Sequence, residues 1–140
     1  MRYLLVKLGV LSGAAKHVAQ VREAFEANAA QGQFKAVFFD VDDWNIVQWC
    51  LTFSKIFHRA DPVRILEIGS WEGRSTLFFL SYFTRGHLTA VDPWADGDDR
   101  RGDATVDLRN YEARFDGNLA PLAARLTKRK GSSLHVLPQL

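Results

Sequence analysis

The stretch Val63-Arg-Ile-Leu-Glu-Ile68, closing on Gly69 and followed by Gly73, constrains this chain more than any other feature. A short, almost uninterrupted apolar run has no polar face to offer to water. It therefore reads as a strand buried in a parallel sheet. The turn 69–73 leads to a predicted helix over 75–83, Arg85-Gly86 makes a second turn, and His87-Leu-Thr-Ala-Val91 reads as the next strand. A polar loop over 95–103 precedes a predicted helix over 105–119, whose end Pro121 disturbs. Arg125 to Arg129 then reads as a third, more exposed strand, before Gly131-Ser-Ser133 and the start of another helix. Strands alternating with helices at this spacing imply right-handed crossovers and a parallel sheet.

The first 62 residues carry a different pattern. Val18, Val21, Phe25 and Ala29 recur at helical spacing over 14–31, and Gln31-Gly-Gln33 closes that segment. A second helix is expected from Asp42-Asp43, whose carboxylates suit a helix N-terminus, with an apolar stripe running from Ile46 to Phe57 until Asp61-Pro62 stops it. The division is thus a helical region, 1–62, and an α/β part, 63–140. At the extreme N-terminus, Tyr3-Leu-Leu-Val6 and Leu8-Gly-Val-Leu11 faintly resemble a leader, but Lys7 interrupts them. No stretch approaches the roughly 18 apolar residues of a membrane span, so no membrane partner is expected.

Charge and cysteine usage exclude some classes of function. Lys and Arg number 18 against 16 Asp and Glu, interleaved as in Asp98-Asp-Arg-Arg101. There is no basic stripe for a phosphate backbone to follow, and nucleic acid is not expected as the partner. The single cysteine, Cys50, sits among apolar residues and reads as an inert buried thiol. The absence of a cysteine framework agrees with a cytoplasmic location. His17, His58, His87 and His135 have no metal-ligand spacing. Asp92, Asp96, Gly97 and Asp103 fall on a calcium-loop template, but Trp94 replaces a ligand and Arg100 and Arg101 add repelling charge, so no metal is expected.

A strand that ends in a glycine turn and feeds a helix presents free N–H groups at the positive end of the helix dipole. Gly69 and Gly73 let backbone approach a ligand there. The second strand ends in Asp92, nineteen residues after Gly73. In a doubly wound sheet that carboxylate points at the same crevice and can accept hydrogen bonds from a ribose diol. Together these make an adenosine-ligand constellation. Trp71 occupies the place where a G-x-G-x-x-G loop needs its second glycine, which disfavours a dinucleotide, and Gly73-Arg-Ser75 lacks Walker A spacing and lysine. Glu72 and Arg74, within the turn, read as solvated charges.

The run Ile65-Leu-Glu-Ile-Gly-Ser-Trp-Glu-Gly-Arg-Ser-Thr76 resembles the first motif of class I S-adenosylmethionine-dependent methyltransferases, in the branch related to catechol O-methyltransferases. Val91-Asp-Pro-Trp94 resembles the second motif of that branch, and Gly131-Ser-Ser-Leu-His-Val-Leu-Pro-Gln-Leu140 its third. The resemblance covers 63–140. It implies a Rossmann-like parallel sheet with flanking helices, here preceded by two N-terminal helices, and S-adenosylmethionine as cofactor. It implies that Gly69, Ser70 and Trp71 line the methionine part, Gly73 closes the turn, and Asp92 binds the ribose. Glu67 would hold either the turn or the ligand's amino group. Trp94 would lie against adenine or cap the sheet edge, with Ser132 and Ser133 at the adenine rim. At the Ser132 position the family's usual acid is replaced by a hydroxyl.

The same resemblance implies transfer to a small-molecule or sugar substrate, with oxygen the favoured acceptor. It also makes the chain look truncated after its third strand, since the groups that activate a substrate follow the fourth. No catalytic residue is therefore named. A strand edge normally covered by that fourth strand would lie open, and a homodimer through it is expected. The competing reading is a non-catalytic module that binds S-adenosylmethionine or another nucleoside, or a relic fold.

Overall fold

The computed structural model describes residues 2–32, 43–95 and 110–140. Helix α1 spans Arg2–Gln31 and α2 spans Asp43–Phe53. The α/β part follows as β1 (Arg64–Ile68), α3 (Arg74–Tyr82), β2 (His87–Asp92), α4 (Tyr111–Leu119), a 3₁₀ turn (Ala120–Arg125), β3 (Leu126–Lys130) and the short α5 (Ser133–Val136). The three strands are parallel and lie in the order β1-β2-β3. This is the Rossmann-like arrangement expected from the sequence, a parallel sheet with flanking helices. The predicted helix positions 105–109 and the polar loop 96–103 lie outside the described residues.

Packing falls on one side of the sheet. Ile65 and Glu67 of β1 are in register with Leu88 and Ala90 of β2, and Leu88 and Ala90 share one core with Leu77, Phe78 and Leu80 of α3. Val21 and Phe25 of α1 and Cys50 of α2 are buried in that same core. An aromatic seam fixes α2 on α3. Trp49 stacks on Phe79 at 5.4 Å, while Phe53 meets Tyr82 edge-on at 5.6 Å and packs on Phe83. The two N-terminal helices thus cover the α3 side of the sheet and stiffen the helix that begins at the glycine turn.

Three expectations need correction. Helix α1 starts at Arg2 rather than near residue 14, since the Leu- and Val-rich segment before that point holds no proline and its Gly9 and Gly13 weaken a helix without breaking it. Helix α2 ends at Phe53 rather than running to Asp61. There Ser54 Oγ donates back to the Leu51 carbonyl at 3.2 Å, and the N–H groups of Lys55 and Ile56 shift to carbonyls three residues back. Such side-chain competition and 3₁₀ tightening end a helix, and they leave Ile56 68% exposed. Strand β1 is buried on one face only. Leu66 and Ile68, on the other face, are 49% and 55% exposed, since no described element covers them.

Strand β3 begins one residue later than expected, and Arg125 is freed for another task. Its guanidinium donates to the carbonyls of Leu80 (2.8 Å), Phe83 (2.8 Å) and Gly86 (3.2 Å). A cation at these carbonyls closes the C-terminal end of α3, where the Phe83 carbonyl also accepts the Gly86 N–H at 3.0 Å.

Candidate functional site

The turn between β1 and α3 is held in a conformation that most residues avoid. Gly69 (φ 81°), Trp71 (φ 50°) and Gly73 (φ 84°) all lie in the left-handed region. Glycine bears this freely, whereas a tryptophan does so only when its surroundings impose it. Gly73 is required for space as well. A Cβ there would lie 2.3 Å from Leu119 Cδ2 and 2.9 Å from Phe115 Cδ2, both on α4.

Asp92, at the end of β2, supplies the constraint. Its Oδ2 accepts the Trp71 N–H at 3.0 Å and its Oδ1 accepts the Trp94 N–H at 2.8 Å. Trp94 is itself left-handed at φ 38°. Its indole Nε1 donates to the Trp71 carbonyl at 2.9 Å, so the two tryptophans and Asp92 form one closed hydrogen-bonded unit. The Trp94 ring is 2% exposed, packed on Phe115 at 4.8 Å with the Lys128 ammonium 4.8 Å from its centroid.

Glu67 is buried beneath the turn. Its two carboxylate oxygens accept the hydroxyls of Ser75 and Thr76 in the first turn of α3. The strand end is thereby tied to the helix start, and that engagement is with the turn.

A cavity of about 190 Å³ opens above, lined by Gly69, Ser70, Trp71, Glu72, Arg74 and Ser75. This is smaller than the about 300–1,000 Å³ of pockets that take a whole drug-sized ligand. It has room for one end of such a ligand. Ser70 is 2% exposed, and its Oγ has no hydrogen-bond partner among the described residues. A buried hydroxyl without a partner is costly, so this atom keeps an unused hydrogen-bonding capacity.

The structure thus groups Gly69, Ser70 and Trp71 at the cavity, with Glu67, Gly73, Asp92 and Trp94 shaping it from beneath and from the side. Ser132 and Ser133 lie at the start of α5. They are brought to the same end of the sheet because the Gly131 N–H donates to the Asp92 carbonyl at 2.9 Å, but they do not line the cavity. Glu72 is not the solvated charge expected. It is 4% exposed and ion-paired with Arg114 of α4. Arg74 and Ser75, also without an assigned role in the sequence reading, line the cavity. Among the described residues no group of three or more His, Cys, Asp and Glu is arranged to hold a metal ion, and no helix is long and apolar enough to cross a membrane.

A left-handed glycine turn opening on a helix N-terminus, with a strand-end carboxylate beside it, is the geometry the first two sequence motifs call for. The family model described as a methyltransferase domain matches residues 66–140, which contain the whole of this arrangement. The chain belongs to that methyltransferase-domain family. No curated protein and no solved structure matches the chain.

Proposed function

We propose that this methyltransferase domain binds S-adenosylmethionine at the turn 69–73 and serves methyl transfer to a small molecule, with oxygen the favoured acceptor. The observation that carries the reading is the orphaned Ser70 hydroxyl, buried in a cavity sized for the amino-acid end of that ligand. When bound, S-adenosylmethionine supplies an electrophilic methyl group on a sulfonium.

The chain's own residues would bind and orient. Ser70 Oγ and the backbone of Gly69 would meet the ligand's amino and carboxylate groups. The positive end of the α3 dipole favours the ligand's negative group. Each oxygen of Asp92 spends one acceptor site on a backbone N–H and retains another, leaving capacity for ribose hydroxyls. Trp94 serves by holding Trp71, given how fully its ring is packed. Ser132 and Ser133 would approach the adenine rim.

Calorimetry with S-adenosylhomocysteine tests the assignment. Binding by the wild-type chain is expected, and Ser70→Ala should raise Kd by about 12- to 160-fold, the worth of one hydrogen bond to a charged group. The same variant should leave the melting temperature unchanged or raised, because it removes a buried hydroxyl that has no partner. No heat of binding from the wild-type chain would sink the reading.

A further inference from the structure

We propose that Arg114 and Asn118 of α4 are positioning residues for the ligand cavity. On this view they fix the far limb of the glycine turn and neutralise a carboxylate that would otherwise oppose the ligand's own. The proposal rests on the reading of the cavity as the amino-acid end of an S-adenosylmethionine site.

A turn with three left-handed residues in five relaxes unless it is held at more than one point. Asp92 holds the near limb through the Trp71 N–H. The far limb, Glu72-Gly73, is held in part from α4, beside the Gly73 N–H bond to the Ser70 carbonyl at 2.8 Å within the turn. Arg114 Nε donates to the Glu72 carboxylate, and Asn118 Nδ2 donates to the Glu72 carbonyl at 2.9 Å. The side chains of Phe115 and Leu119 fill the space beside Gly73. Positions 114 and 118 are four apart, so one face of the helix presents both donors.

Charge gives the arrangement a second consequence. Glu72 lines the cavity, yet a free carboxylate there would repel the carboxylate of an incoming amino acid. At low local dielectric such repulsion is substantial over several ångströms. The ion pair with Arg114 removes it by sharing the charge with a cation, and both side chains are largely buried. Ligands with and without an amino-acid end should therefore respond differently when the pair is broken. A purely structural role would not discriminate between them.

The test compares S-adenosylhomocysteine with 5′-methylthioadenosine, which lacks that end. Arg114→Met should weaken the first by tenfold or more and the second by no more than a few-fold. Adding Glu72→Gln, which removes the stranded charge, should recover most of the loss. Should Arg114→Met fail to fold, Asn118→Ala carries the positioning part, with a few-fold weaker S-adenosylhomocysteine binding and faster hydrogen exchange at the Gly73 amide. Equal losses for both ligands, or unchanged affinity together with unchanged exchange at Gly73, would overturn the proposal. If the wild-type chain binds neither ligand, the cofactor reading fails, and the Gly73 exchange rate alone decides whether α4 holds the turn.

Discussion

His17 shows how a single side chain can set the acid limit of the fold. Its ring meets Tyr82 edge-on at 5.6 Å between α1 and α3, and its Nε2 is buried without a partner. Burial, with the Arg59 guanidinium second, holds the imidazole below its ordinary value of 6.5. The folded chain therefore binds this proton less readily than the unfolded chain, so folding is favoured more at higher pH. The contribution is complete above about pH 6.5 and erodes as pH falls through that value toward the folded-state pKa. Urea midpoints measured between pH 7.5 and 5 should decline less steeply for His17→Phe than for the wild-type chain. Equal slopes would show that His17 does not titrate in this interface. At this scale the sequence was legible in part. Gly69, Gly73 and Asp92 announce themselves by local spacing, because strand, turn and strand-end acid are written in order, whereas Ser70 and Trp71 are singled out only by the resemblance of the motif that contains them. Glu72 does not announce itself, because its partner Arg114 lies 42 residues away and only the fold brings them together.

Between elements, Arg125 does most to join β3 to α3. It serves three carbonyls at the end of α3 and its following turn, so its loss strands several buried acceptors at once. Hydrogen bonds to a charged donor are worth about 1.5–3 kcal/mol. Arg125→Ala should therefore cost on the order of 2–3 kcal/mol in urea unfolding, and Arg125→Lys, which cannot reach all three carbonyls in the same plane, should recover only part. A cost below about 0.5 kcal/mol would mean that water replaces the guanidinium at no loss. The elements themselves were largely legible. β1, α3 and β2 emerged within one residue of their observed limits, since apolar run, glycine and turn are local signals. The early end of α2 was not, because its apolar stripe continues past Phe53 and the hydrogen bonding of Ser54 is what breaks the helix.

For the described residues as a whole, the helices pack on one face of the sheet, and both edge strands, β1 and β3, pair on one side only. Among the described strands β1 pairs only with β2, and it carries Leu66 and Ile68 exposed on the uncovered face. An apolar strand with a free row of N–H and C=O groups is a template for another strand. Concentration-dependent self-association through β1 is the expected behaviour, and sedimentation of Leu66→Lys/Ile68→Lys should shift it toward monomer. A wild-type chain that stays monomeric at high concentration would rule this out. The parallel pairing of the strands could be anticipated from alternating elements. Which face stays bare could not, because each face of β1 carries one charge beside apolar residues, Arg64 with Leu66 and Ile68 on one and Glu67 with Ile65 on the other.

The docking of α1 on α3 also has a temporal side. The Asn28 side chain reaches Ser81 Oγ, 53 positions further along the chain, at 2.9 Å, and Val21 and Phe25 are buried in the same core. Synthesis at about 5–20 residues per second delivers α3 several seconds after α1. A helix forms in about a microsecond. During biosynthesis α1 therefore spends seconds as a formed helix whose apolar stripe has no cover, an interval in which a chaperone or a neighbouring nascent chain can reach it before α3 does.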